Sequence, residues 1–231
     1  MRFSEINWMD VEKYLKQDDR IMVVLGATEQ HGYLSLLTDT RIPMALADAA
    51  SQQTGVLIGP ELNYGVCPYF MTYPGTLTLR SESLLMVVED IITALYQHGF
   101  RRILVLNGHG GNEIAREKLV EICNEFEDLR IIWYAWWLSN SVLALATKYQ
   151  LSPDHASWME AFPFTRVTDL PANDKVPVSY VGLLNAVQTR KIHGDGMLGT
   201  TYSADDAIME ELFQICLSDV LYFLSFPELP G

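Results

Sequence analysis

Two stretches of the chain share one pattern: "RIMVVLGATEQHG", beginning at Arg20, and "RRILVLNGHGGN", beginning at Arg101. In each, a short aliphatic run stops at or just before a glycine and gives way to polar residues. A run so short and so uniformly apolar reads as a strand buried on both faces, and such strands belong to parallel sheets covered by helices. Other segments supply the alternation. Ile42 to Gln53 reads as a helix, "GVLIGPEL" as a second short strand, and "YPGTLTL" as a Pro-Gly turn before an extended run. Leu84, Leu85, Val88, Ile91, Ile92 and Leu95 recur at helical spacing, with Ser81 as the expected N-cap, Glu82 in the first turn, His98 at the end and Gly99 closing the helix. A helix from about Glu113 to Glu125, a strand "RIIWYAWW" and a long final helix carrying Ile208, Leu212, Ile215, Leu217 and Leu221 complete the series. Ser203 and Asp206 read as a capping box for that last helix. The fold class expected is α/β, a largely parallel sheet flanked by helices, as one domain over residues 1–231.

Composition narrows the partners. A formal net charge of −13 repels phosphate backbones and anionic lipid, so neither nucleic acid nor membrane is expected. The longest apolar stretch, Ile131 to Ala146, is interrupted by Tyr134, Ser139, Asn140 and Ser141 and is too short to span a bilayer. Cys67, Cys123 and Cys216 form no C-x-x-C pair, and the two that lie in apolar helical patterns read as small buried hydrophobes. With no apolar signal core in "MRFSEINWMD", a soluble cytoplasmic protein is expected.

In open parallel sheets, ligands bind outside the carboxyl ends of the strands. The loops "GATEQHG" and "NGHGGN" both lie at such ends, so their side chains share one rim. Glu29 and His31 are two apart and project together in extended chain. Asp39, in "LLTDT", follows a loop long enough to fold back, and His109 arrives from the second loop. One Glu, one Asp and two His make an oxygen and nitrogen set suited to a divalent ion. Other readings stand beside this one. Glu29 and His31 can be an ordinary polar pair, Asp39 a turn or cap residue near Pro43, and "NGHGGN" a nest for phosphate or a nucleotide. That loop, however, has neither nucleotide fingerprint spacing nor a following Lys. A third polar island, "DHASWMEAF", is either a solvated helix start at Pro153 and Asp154 or a site where His155 transfers protons and Glu160 binds or orients a group. His193, in "KIHGDG", reads as an exposed loop residue near the pocket rim. Trp136 or Trp137 would serve as an aromatic lid or as core.

These motifs resemble the creatininase (creatinine amidohydrolase) family. Its opening signature, G-S-x-E-Q-H-G-x-H-L-P-L-x-T-D, is similar to "GATEQHGYLSLLTD", and "YPGTLTL", "NGHGGN", "HASWMEA" and "GMLGTTYSADDAIMEE" follow in the family's order. The resemblance implies a creatininase-like three-layer fold, a homo-oligomer (commonly a hexamer), and two divalent metal ions per chain, zinc, manganese or iron. It implies that Glu29, Asp39 and His109 hold one ion and that His31 and Asp39 hold the other, with Asp39 bridging. The family's N-G-H-x-E-N has a further Glu where this chain has Gly111, and Glu160 is the expected substitute. Asp154 and His155 match the family's acidic-His pair that handles protons. The substrate implied is a small molecule whose non-peptide amide C–N bond, cyclic or linear, is hydrolysed by metal-activated water. Creatininase, formamide hydrolases and a mycofactocin peptidase share the family, so the resemblance does not choose among them. Departures are real: the segment from His31 to Asp39 is one residue shorter than the signature, and its second His and its Pro are missing. A metal-binding scaffold without turnover is therefore the rival reading.

Overall fold

The computed structural model describes residues 1–228. Four parallel strands, β1 (Arg20–Leu25), β2 (Leu57–Ile58), β3 (Arg102–Asn107) and β4 (Arg130–Ala135), lie in the order β2-β1-β3-β4. The registers place Leu25 beside Asn107 and Asn107 beside Ala135, so the carboxyl ends of β1, β3 and β4 are level. Helices α1 (Trp8–Leu15), α2 (Thr38–Thr54), α3 (Ser81–His98), α4 (Ala115–Glu125), α5 (Asn140–Tyr149), α6 (Ala186–His193) and α7 (Asp206–Leu224) surround it. Side-chain alternation along the central strands builds two cores. Met22, Val24, Leu104 and Leu106 face α2, α5 and α7, while Ile21, Val23, Ile103 and Val105 face α3 and α4. Each fully buried aliphatic side chain contributes about 1.5–3 kcal/mol. The three-layer α/β arrangement is the one expected. No helix among the described residues is long and apolar enough to cross a membrane.

Several boundaries differ from the sequence reading. The second strand is only Leu57–Ile58, because beyond Gly59 the next donor to β1 comes from Leu62, one residue out of the two-residue strand phase. Its chain still runs along β1, with Leu62 donating to Val24 O and Gly26 to Leu62 O. Ser81 is the first helical residue of α3 rather than its cap, a position held by Arg80 without a side-chain bond. The expected capping box of α7 is not formed either: Asp205 precedes the helix and caps nothing with its side chain. That helix is held by burial of Met209, Leu212, Cys216, Val220 and Leu224 instead. "NGHGGN" enters α4 through a 3-10 turn, Gly110–Ile114, and the last strand ends at Ala135 before another, Trp136–Leu138.

The start of α2 matters most. It begins at Thr38, four residues before the stretch read as helical, and contains Pro43. Asp39 therefore sits in a first turn, where the helix dipole favours a carboxylate. This turn is wedged against the ends of β1 and β3. A Cβ at Gly26 would overlap Thr40, and one at Gly108 would overlap the backbone of Asp39. Only glycine at both strand ends lets the helix come so close.

Candidate metal centre

Five side chains from four segments meet above the strand ends: Glu29 and His31 from the loop after β1, Asp39 from α2, His109 from the loop after β3, and Glu160 from a 3-10 turn, Trp158–Glu160. All are buried. The Asp39 carboxylate lies at the middle. Its Oδ1 is 2.9 Å from His31 Nε2 and its Oδ2 is 2.9 Å from His109 Nδ1. Glu29 Oε2 stands 3.6 Å from His109 Nδ1, and Glu160 Oε2 stands 3.8 Å from His31 Nε2.

The far nitrogen of each imidazole is tied to a backbone carbonyl. His31 Nδ1 lies 3.0 Å from Glu29 O, and His109 Nε2 lies 3.1 Å from Val66 O. A nitrogen facing a carbonyl must carry the hydrogen, so in the neutral ring the near nitrogen presents a lone pair to the carboxylates. A lone pair facing a carboxylate oxygen is stable only with a proton or a metal ion between the two. His31 Nε2 and Asp39 Oδ2 are in fact buried without a hydrogen-bond partner among the described residues. This donor set fits a divalent ion.

The electrostatics agree. Burial disfavours the imidazolium of His31, yet Asp39 and Glu160 outweigh it and raise its pKa to about 10. The same contest, with Asp39 and Glu29, raises His109. Burial pushes Asp39 up, but the two imidazoles hold it well below the usual carboxylate range. Glu29 and Glu160 are raised by burial, each to about 7, with histidines opposing.

His155 joins the group from the side. Its Nε2 is 3.0 Å from Gln30 O, its Nδ1 is 3.6 Å from Glu29 Oε2, and its ring is 4.4 Å from that of His31. Phe70 stacks on it at 4.5 Å. Burial first, and then His31, lower its pKa well below the ordinary value, so the ring is neutral. The resemblance implies that Asp154 works with His155 as an acidic-His pair, but among the described residues the bonds to the His155 ring come from Gln30. Gln30 does the holding, with its own Oε1 accepting from Gly32 N–H at 3.0 Å. Ala156, at φ 57°, bends the chain here so that its N–H donates to Glu160 Oε2 at 2.6 Å. A left-handed Ala costs about 1–2 kcal/mol and persists because the surrounding contacts require it.

Other placements correct the sequence reading. His193 is not an exposed loop residue but the last residue of α6, 4% exposed, because the segment before it folds over the ring. Trp136 is core, while Trp137 lines the same cavity as Glu29, Asp39, His109 and Glu160. Pro153 and Asp154 start no helix. Gln30, Phe70 and Cys67 were missed. Cys67 Sγ lies 3.5 Å from His109 Nε2, and burial raises its thiol pKa to about 11. Only Gln30 carried a signal, standing between two candidate ligands in "EQHG".

A family model described as Creatininase: Creatinine amidohydrolase matches residues 4–224. The chain belongs to the creatininase family. Among curated creatininase relatives, a creatinine amidohydrolase of Pseudomonas putida is 27% identical over 58% of this chain and 56% of its own length. A 3-dehydro-scyllo-inosose hydrolase of Thermotoga maritima is 30% identical over 47% of this chain and 35% of its own. A mycofactocin precursor peptide peptidase of Mycolicibacterium smegmatis is 37% identical over 40% of each. The chain thus aligns with little more than half of the first relative's length and less of the others. The creatininase fold is matched along the whole chain: a crystal structure of creatinine amidohydrolase superposes with a TM-score of 0.79 at 22% identity, covering 99% of this chain and 98% of that one. Neighbours of similar likeness include a "Zn-Zn type" creatininase mutant, TM-score 0.77, 22% identical and covering 98% of each chain, and a "Creatininase Mn", TM-score 0.78, 23% identical and covering 98% and 99%.

Proposed function

We propose that this protein is a metal-dependent amidohydrolase that cleaves the C–N bond of a non-peptide amide. The observation that carries the reading is Asp39, whose two oxygens each face a histidine nitrogen at 2.9 Å while both histidines are anchored from behind. A carboxylate so placed would serve two ions, supplying one oxygen toward each histidine. Glu29, Asp39 and His109 would hold one; His31, Asp39 and Glu160 would hold the other. Glu160 takes the part of the acidic residue absent at Gly111. Zinc and manganese, present in creatininase structures of this fold, are the expected ions, with iron a further choice.

Divalent ions in such a site lower the pKa of water and polarise a carbonyl oxygen. The chain's own residues do the rest. His155 Nε2 stands between Gln30 O at 3.0 Å and Gln30 Nε2 at 2.9 Å, and in the tautomer with the hydrogen on Nε2, donated to Gln30 O, the Nδ1 lone pair is turned toward Glu29. A neutral imidazole in that pose accepts a proton from attacking water and returns it to the leaving nitrogen. Phe70 fixes the ring plane. Asp154 keeps a role near the site but not as the orienting carboxylate. A cavity of about 600 Å³, lined by Trp137, Phe70, Leu184 and Leu198 among others, opens onto these groups and is of ligand size. Its apolar walls exclude water around the amide.

The names of the three relatives describe a ring amide, a cyclic ketone and a peptide, so family membership does not choose the substrate. The exposed Val176, Val181, Leu183 and Val187 support a homo-oligomer, for which a hexamer is the expected number. The test is paired: elemental analysis of purified protein, then turnover of creatinine, formamides and short amides by protein reconstituted with zinc or manganese. About two ions per chain with hydrolysis of an amide supports the reading. Two ions with no turnover on any amide favours the idle scaffold, and no metal removes both.

A further inference from the structure

Lys175 is a largely buried cation that the mechanism above leaves out. Its side chain is 17% exposed, and that of Asp195, its ion-pair partner, is 23% exposed. All three ammonium hydrogens have acceptors: His193 O, Asp195 Oδ1 and Met197 O. The Lys175 backbone N–H donates to Thr200 O at 2.7 Å, so the residue is fixed at both ends. Asp195 Oδ1 also accepts from Met197 N–H at 3.2 Å, and its Oδ2 accepts from the Tyr202 hydroxyl at 2.6 Å. Burial alone would raise the Asp195 carboxyl, but Lys175 and Tyr202 hold it below the ordinary value. One charge thus grips the turn 193–197 from inside.

That turn and its continuation reach His155 at two points. Gly196 stands between the two gripped carbonyls at φ 96°, a left-handed value that suits glycine. Its O accepts from Gln30 Nε2 at 3.0 Å, and Gln30 meets His155 Nε2 through its own O at 3.0 Å and its Nε2 at 2.9 Å. A Cβ at Gly196 would overlap the Gln30 amide, so the two are in direct contact. Leu198 N–H, just beyond the turn, donates to His155 O at 3.1 Å.

We propose that Lys175 is a positioning residue, which acts through the turn 193–197 and the Gln30 amide to hold the His155 ring in one orientation and one tautomer. This rests on the amidohydrolase reading only for the use of that ring in proton transfer. Without the ammonium, Asp195 becomes a mostly buried charge with no cation, and the turn has to shift to give it water. Gly196 O then no longer fixes the Gln30 amide, and the ring nitrogen beside that amide loses its fixed partner. Proton transfer is sensitive to such a displacement even when its cause lies far from the reacting atoms.

The test reads the His155 ring itself, by nitrogen-15 shifts in metal-free protein at neutral pH. The two neutral tautomers differ in these shifts, and His155→Ala identifies the signal. The unchanged chain should show a single tautomer. Lys175→Met should move the shifts toward the average of the two, and Gly196→Ala, which displaces the Gln30 amide directly, should do the same. Asp195→Asn, close in shape to the original, should follow in the same direction and supplies the measurement should Lys175→Met not fold. Zinc affinity, by chelator competition, should remain parental in the Lys175 and Asp195 variants, because neither touches a metal ligand. On whichever amide is hydrolysed, Lys175→Met should lose about 10- to 100-fold in turnover. Adding it to Gln30→Ala should cost clearly less than the product of the two single losses, since both act along one path. An unaltered single tautomer in the folded variants, a full product of losses in the double variant, or zinc affinity lost together with the ring's order each overturns the assignment. Failure of zinc-loaded protein to hydrolyse any amide would instead count against the amidohydrolase reading, since the ring shifts are read without metal or substrate.

Discussion

Restoring the acidic residue of the family's N-G-H-x-E-N motif should damage this protein. A Cβ placed at Gly111 overlaps Val66 O and comes within 2.7 Å of His109 Nε2. The Val66 carbonyl must retreat by roughly 1 Å or more to reach ordinary contact. That same carbonyl accepts from His109 Nε2 at 3.1 Å, so its retreat frees the ring that faces Asp39. Overpacking costs about 1–3 kcal/mol, and leaving a buried N–H unpaired costs about 1–3 more. For a chain of this size, roughly 2–6 kcal/mol corresponds to a fall in Tm on the order of 5–20 °C. A metal ligand whose anchoring partner is lost binds about 10- to 100-fold more weakly. Because the added Cβ is the cause, Gly111→Ala should suffer nearly as much as Gly111→Glu, and Gly111→Glu should not rescue Glu160→Gln. Thermal melts and chelator competition with zinc-loaded protein measure both effects. A Gly111→Ala protein with parental Tm and parental zinc affinity would refute the argument, as would rescue of Glu160→Gln by Gly111→Glu.

Asp39→Ala should lower occupancy at both metal positions, whereas His31→Ala should spare the one built from Glu29 and His109; elemental analysis with full metal content in Asp39→Ala would sink the bridging assignment. Glu160→Gln should weaken one ion selectively, and unchanged affinity for both would make Glu160 an orienting residue. His155→Ala should keep both ions and lose about 10²- to 10⁴-fold in turnover; loss of an ion together with activity would make His155 a ligand through Nδ1. Zinc binding should release protons. Burial raises Glu29 and Glu160 to about 7, and His31 stands at about 10 because Asp39 and Glu160 outweigh its burial, so the metal-free site holds protons at neutral pH that an ion has to displace. Apparent affinity should therefore fall as pH drops from 8 to 6, about tenfold per unit for each proton displaced. Zinc titrations in two buffers of different ionisation enthalpy count those protons, and a count of zero contradicts the assignment.

The layered parallel sheet was legible in the sequence because burial on both faces leaves a local mark. Ile21 to Leu25 and Ile103 to Leu106 are apolar at every position, and no other arrangement hides such runs so economically. The candidates Glu29, His31, Asp39 and His109 were legible for a related reason: strand ends on one rim bring their loops together whatever the details. Helix starts were less so. Ser81 and the Ser203 to Asp206 stretch have capping chemistry, yet packing placed α3 and α7 a residue or more away from it.

Tertiary structure alone decided which atoms face which. The pairing of each Asp39 oxygen with a different histidine depends on α2 pressing against Gly26 and Gly108, a contact between segments far apart in the chain. Holding of His155 by Gln30, burial of His193 and the reach of Glu160 to His31 are likewise distances across the fold. Hydrophobic periodicity is a property of neighbours in sequence and can be read along it. Hydrogen-bond partnership at a site built from four segments belongs to their relative positions, which exist only once the chain has folded.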